Sequence, residues 1–337
     1  MNSKEIIERT IKFKKPDRLG LYYLLGNKLH SDIYLDHSDE PVFENKKRIE
    51  DNFELWEDVW GNTWGRLISD KTTHGEVIRG VLADWRCLDH YKLPNLADKE
   101  LFSAMAKRFS YKNEMYKVVE MPGLFFAIAR NLRGLDNFLM DIKIERDRVE
   151  GLMKHIEALL SEMIVQNAQA GADGIMFYED WGTQHQLFIH PDDWKDVFKP
   201  FMANLFRLAH KNNLSVWMHS CGYIYPIISH LIEIGVDVLQ LDQPELMGIE
   251  RLGKEFGGRV TFWSPCDIQK VLPTGDKQRI ETSIRKMFDN LCVNGGGLIA
   301  KSYGIREEDL VSIGVKPEWN EFAYQCFMKY DSNNHMG

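Results

Sequence analysis

At 337 residues, 44% of them hydrophobic, and with a formal net charge of -8 spread along its length, the chain can bury a large core. That balance excludes a small disulfide-stapled scaffold and argues against duplex nucleic acid as a partner. No apolar run reaches the roughly 18 residues that cross a bilayer, and MNSKEIIERT reads as a polar helix start, so a cytoplasmic protein with no membrane partner is expected.

Residues 4–13 (KEIIERTIKF) have the periodicity of an amphipathic helix, ended before Pro16. Residues 43–110 are less regular, rich in Trp, Asp and Gly turns such as DVWGNTWG. From about residue 115, short runs rich in Val, Ile and Phe alternate with helical patterns. The predicted strands are 117–120, 174–178, 215–219, 236–241, 260–263 and 297–300. A helix over 157–173 should close on Gly171, and HLIEIGVD at 230–237 has the same order of helix, glycine and strand. Strand and helix in alternation mean a parallel sheet. The number of units favours a TIM (β/α)8 barrel with an N-terminal helical extension, and no G-x-G-x-x-G follows an early strand. One continuous domain is expected, with residues 1–110 holding the extension and first barrel elements and residues 111–337 the rest of the barrel.

In such a barrel the reactive groups sit where strands end. Collecting polar residues there gives Glu179 and Asp180, His219 and Cys221, Asp242 and Gln243, Cys266, and Lys301. His219 and Cys221 stand two apart, the spacing that points both side chains to one face of an extended segment. Imidazole and thiolate together suit zinc, whereas a buried histidine beside a structural cysteine is an equally economical reading of the spacing alone. Cys266 and Asp242 are candidates for a third ligand, with Glu179 behind them. The five cysteines (Cys87, Cys221, Cys266, Cys292, Cys326) are an odd, scattered set that fits free thiols or ligands better than disulfides.

Glu179 and Asp180, being adjacent, should face opposite ways, so one of them enters the barrel mouth. A carboxylate there can orient substrate or move a proton; a capping or salt-bridging role is the structural alternative. Arg130 and Arg133 could anchor an anionic substrate or lie on a solvated helix face. Trp60, Trp64, Trp85, Trp181 and Trp263 could line a pocket for a planar substrate or serve as core anchors.

Several stretches, in order, resemble the uroporphyrinogen decarboxylase superfamily and in particular its corrinoid-dependent methyltransferase branch. They are KPDRLG, YEDWGTQHQLFIHPDDW, WMHSCGYIYPIISHLIEIGVDVLQLDQPE, GGRVTFWSPCDIQKVLPTGD and NGGGLIAKSY. The resemblance implies a TIM barrel with its cleft at the C-terminal ends of the strands. The decarboxylases resemble one another through an N-terminal arginine motif close to RQAGR, where this chain reads LYYLLGNKLHSD.

In the methyltransferase branch a His-x-Cys pair binds zinc, which implies His219 and Cys221 as ligands here. The branch's usual third thiolate follows the last strand, where this chain reads AKSYGI, leaving Cys266 or Asp242 to complete the set. The resemblance thus implies methyl transfer between a small methylated substrate, a methoxy, methylamine or thiol compound, and a corrinoid carried on a partner protein. Glu179, Asp180 and Asp242 are the expected catalytic groups, and Trp181, Arg130, Gln243 and Lys301 the expected substrate contacts. Two alternatives stand beside it: a metal-free decarboxylase of a carboxylated ring compound such as a porphyrinogen, and a non-catalytic barrel that binds a ligand or a corrinoid protein.

Overall fold

The computed structural model describes residues 1–37, 47–69 and 75–335. Helix α1 (Ser3–Ile11) opens on a capping box, in which Asn2 accepts from the Glu5 N–H and the Glu5 carboxylate accepts from that of Asn2. Strands β1 (Gly20–Leu25), β2 (Lys28–Ser31) and β3 (Ile33–His37) follow. An antiparallel sheet comes next: β4 (Arg48–Glu50), β5 (Phe53–Glu57), β6 (Thr63–Leu67) and β7 (Glu76–Arg79). Helix α2 (Lys99–Ser110) leads to β8 (Tyr116–Glu120), α3 (Phe125–Arg133), α4 (Leu135–Ile144) and α5 (Arg146–Ala170).

The remaining units are β9 (Gly174–Tyr178), α6 (Pro191–Val197), α7 (Lys199–Lys211), β10 (Ser215–His219), α8 (Tyr225–Glu233), β11 (Val238–Gln240), α9 (Pro244–Met247), α10 (Ile249–Phe256), β12 (Thr261–Ser264), α11 (Lys277–Leu291), β13 (Leu298–Lys301), α12 (Glu307–Ser312) and α13 (Pro317–His335). The main sheet runs β2-β1-β13-β12-β11-β10-β9-β8-β3, all parallel except β2. Its eight parallel strands curl until β1 and β3 approach each other. Buried Asp32 bridges that seam: its N–H donates to the Leu21 carbonyl, and its carboxylate accepts from the Leu21 N–H and the Arg18 guanidinium. The expected TIM barrel is therefore present, with its first two strands in the irregular-looking first third.

Two apolar layers hold it. Tyr22, Val118, Met176, Trp217, Trp263 and Ile299 fill the interior, closed from below by Ile7 of α1. A larger cluster lies between the strands and the helices. Because both strand faces are buried, the strands read as continuous apolar runs rather than as alternating ones. Helix α5 closes on Gly171 in the left-handed region, as its sequence indicates, but begins at Arg146, eleven residues before the periodic stretch read from sequence.

The expected N-terminal helical extension is α1. The stretch read as turns contains the β4–β7 sheet and, at its end, α2. Asp58 makes the β5–β6 turn by accepting from the N–H groups of Trp60 and Asn62 and from the Trp64 indole. Trp56 and Trp64 then stack across the strands, 6.3 Å apart. Residues 43–46 and 70–74 of the turn-rich stretch lie outside the described residues. Among the described residues no helix is long and apolar enough to cross a membrane.

Candidate metal centre

Strand alternation decides which side chains reach the barrel mouth. Met176 and Trp217 belong to the interior cluster, so Tyr178 and then Asp180 follow inward along one strand, and His219 and then Cys221 along the next. Glu179 faces the other way, fully buried, where it accepts from the backbone N–H groups of Phe126 and Ala127 at the start of α3 (2.9 and 2.5 Å). Burial pushes its carboxyl up to about 8, against the pull of those two donors. Of the adjacent carboxylates it is Asp180 that enters the mouth, and Glu179 caps a helix.

The loops after β9 and β10 are bound to each other. The Cys221 N–H donates to Asp180 Oδ1 (2.8 Å), the Trp181 N–H to Ser220 Oγ (3.1 Å), and the Tyr223 N–H to the Thr183 carbonyl (2.7 Å). Gly222 makes this approach possible: its φ is +77°, and a Cβ there would collide with the carbonyl of Gly182. Gln243 supports the same turn by accepting from the Gly222 N–H (3.3 Å).

The result is a three-donor cluster. His219 Nε2 lies 3.2 Å from Cys221 Sγ and 3.5 Å from Asp180 Oδ1, and ligand atoms of the three residues all fall within 4.8 Å of one another. One imidazole, one thiol and one carboxylate, with Cys221 exposed, form a donor set for a divalent cation with a side left open. The electrostatics agree with that fit. Burial opposes a charged His219, yet Asp180 and Cys221 raise the imidazole to about 10, while the His219 imidazole holds the Asp180 carboxyl down at about 2 against its own burial. The cluster thus favours positive charge at Nε2, where a cation would sit.

The other expected ligand is elsewhere. Trp263 points into the interior, so Phe262, Ser264 and Cys266 point outward, and Cys266 lies in the layer between strands and helices. Burial pushes its thiol well above the ordinary range. The structure does not bring Cys266 to His219 and Cys221, and Asp180, expected as a catalytic group, stands in the third position. Asp242, the alternative third ligand, is engaged by Gln240 Nε2 (2.7 Å) and Lys301 Nζ (2.9 Å). Burial would raise its carboxyl, but the ammonium beside it holds it below the usual value.

Trp181, expected to touch substrate, is buried and stacks on Phe126 with ring centroids 5.0 Å apart. Arg133 is buried too, paired with Asp141 (2.8 Å) and lying over the Trp85 ring. The tryptophans form no single pocket: Trp64 is in the antiparallel sheet, Trp85 lies under Arg133, and Trp263 is in the barrel interior. Arg130 does face the mouth. It lines a cavity of about 370 Å³ with His37, Glu120, Tyr178 and Asp180, and its guanidinium lies over the Phe126 ring.

Four mouth residues escaped the sequence reading: Gln240, Glu120, Tyr178 and His37. Glu120 accepts from the Tyr178 hydroxyl and pairs with His37, and the Tyr178 ring lies 5.4 Å from the His219 ring. Counting back two from Asp180 and Asp242 along their strands would have found Tyr178 and Gln240.

The family model for uroporphyrinogen decarboxylase (URO-D) matches residues 123–302, a span that contains the whole three-donor cluster. A uroporphyrinogen decarboxylase of Chlorobium phaeobacteroides is 23% identical over 232 residues, 65% of this chain and 63% of that protein; the chain thus spans less than two thirds of this relative's length. A methyltransferase from Methanosarcina mazei superposes with a TM-score of 0.59 at 14% identity, over 81% of this chain and 76% of that one, and so shares the fold. With the model matched across more than half of its length, the chain belongs to the uroporphyrinogen decarboxylase family.

Proposed function

We propose that the protein is a zinc-dependent methyltransferase that moves a methyl group between a small methylated or thiol substrate and a corrinoid carried by a partner protein. The observation that carries this reading is the convergence of Asp180, His219 and Cys221 at the barrel mouth. Zinc in such a set supplies Lewis acidity, polarising a bound oxygen or lowering the pKa of a bound thiol. The chain's own residues do the rest. Asp180 and Cys221 are held to each other by a backbone hydrogen bond, so the donor set is assembled before anything binds. Tyr178 and Glu120 form the neighbouring wall, and Arg130 offers a positive charge in the same cavity.

A cavity of about 370 Å³ suits a small substrate. Large apolar side chains stand exposed on the β4–β7 sheet (Ile49, Leu67, Ile78), on α4 (Met140, Ile144) and on the loop after β9 (Phe188). A partner protein that carries the corrinoid would find apolar surface there.

A metal-free decarboxylase of a carboxylated compound is the second reading. Arg130 favours it, because its guanidinium has neither a hydrogen bond nor an ion pair to any described residue and is available to a substrate carboxylate.

Elemental analysis with methyl-transfer assays to cob(I)alamin tests the two. Near one zinc per chain, lost in His219→Ala and Cys221→Ala together with methyl transfer, supports the first reading. A metal-free protein that refuses zinc on reconstitution overturns it in favour of the second.

A further inference from the structure

Behind His219 runs a buried polar line that neither reading above uses. Lys301 Nζ donates to Asp242 Oδ1 (2.9 Å), Gln240 Nε2 donates to the same carboxylate (2.7 Å), and Gln240 Oε1 meets His219 Nδ1. All four side chains are buried, and Lys301 is further confined over the Trp263 ring, 5.2 Å from its centre. The line leaves β13, passes the Trp263 ring of β12, and reaches β10 by way of β11.

We propose that Lys301, Asp242 and Gln240 are positioning residues that keep a proton on Nδ1 of His219, and so reserve Nε2 for whatever binds between Asp180 and Cys221. The polarity of the line is forced step by step. An ammonium only donates, so the carboxylate beside it stays an acceptor. An acceptor at Asp242 requires the NH2 end of the Gln240 amide; the reversed amide would set its oxygen against the carboxylate. That leaves the amide oxygen toward His219, and an oxygen without a proton can only be met by an N–H at Nδ1. The ring is thereby fixed in orientation as well as in protonation. Asp242, expected from sequence as a catalytic group or third ligand, and Lys301, expected as a substrate contact, are committed to this task.

The inference rests on the zinc reading only for its affinity arm. The direct test is ring-nitrogen NMR of the full-length protein labelled with 15N-histidine, His219 being assigned by its loss in His219→Ala. The expected result is a slowly exchanging proton bonded to Nδ1 with and without zinc, and a zinc-induced shift confined to Nε2. In Gln240→Leu that proton should lose its protection, and the zinc dissociation constant from chelator competition should rise about 10–100-fold.

Gln240→Glu keeps an acceptor toward Nδ1 and should restore both readouts. A merely structural role predicts the reverse order, since a buried leucine is better tolerated than a second carboxylate beside Asp242. An unprotonated Nδ1 in the wild-type protein overturns the inference, as does a Gln240→Leu variant that matches wild type in both measurements. If Gln240→Leu does not fold, the wild-type spectrum decides alone. Failure to bind zinc with the Nδ1 proton in place overturns the zinc reading and leaves the positioning line standing.

Discussion

Asp180 and Cys221 are 41 residues apart in sequence, yet the Cys221 N–H donates to the Asp180 carboxylate at 2.8 Å. That bond joins the ends of two neighbouring barrel strands and places the carboxylate beside His219. It also explains how the chain assembles three donors without a thiolate after its last strand.

Asp180→Asn should lower zinc affinity on the order of 10–100-fold or more, whereas Cys266→Ser should leave zinc content and affinity unchanged. Chelator competition on the two purified variants checks this. Zinc lost from Cys266→Ser would show that the outward-facing thiol is a ligand after all.

Gly222→Ala should destabilise the protein by about 1–3 kcal/mol, because alanine must take a φ of +77° and its Cβ meets the Gly182 carbonyl. The same variant should bind metal less tightly, since the two loops can no longer close on each other. Urea unfolding and a zinc titration read the two effects separately, and an unaltered midpoint with unaltered affinity would contradict the packing described.

The two arginines of α3 should part company. Arg133→Ala removes one partner of a buried ion pair and should cost about 3–5 kcal/mol of stability. Arg130→Ala gives up only a guanidinium stacked on Phe126, worth no more than about 1 kcal/mol. It should instead weaken the binding of anionic ligands such as small carboxylates. Thermal denaturation and ligand titration of both variants give the comparison; equal losses of stability would refute it.

His210 and Asp237 carry a pH signature away from the mouth. The Asp237 carboxylate, 2.8 Å from Nε2, raises the His210 imidazole above its ordinary value near 6.5. A folded value above the unfolded one means the pair stabilises fully below the unfolded value, and that this contribution fades as pH rises through the folded one. The stability gap between wild type and His210→Asn should therefore be widest in mild acid and close at alkaline pH. A gap that widened with pH would reverse the assignment.

Alternating apolar runs and helix-closing glycines made the barrel legible from residue 115 onward. Its first two strands were not, because β1 and β3 precede a long insertion and the rhythm cannot be heard across it. The same insertion concealed an antiparallel sheet whose strands are only three to five residues long. At the mouth, the spacing of His219 and Cys221 was enough to put both on one face, since period-two geometry is local.

Local residue order is enough for the alternation of units, the polar residues at the strand ends, and the His-x-Cys pair. Which residue joins that pair depends on how the strands pack. In an all-buried strand such as TFWS, each parity holds one aromatic and one hydroxyl residue, so nothing local says whether Trp263 or Phe262 faces inward, and hence where Cys266 points. Asp180 and Gln240 reach His219 across neighbouring strands, and that adjacency exists only once the sheet has closed.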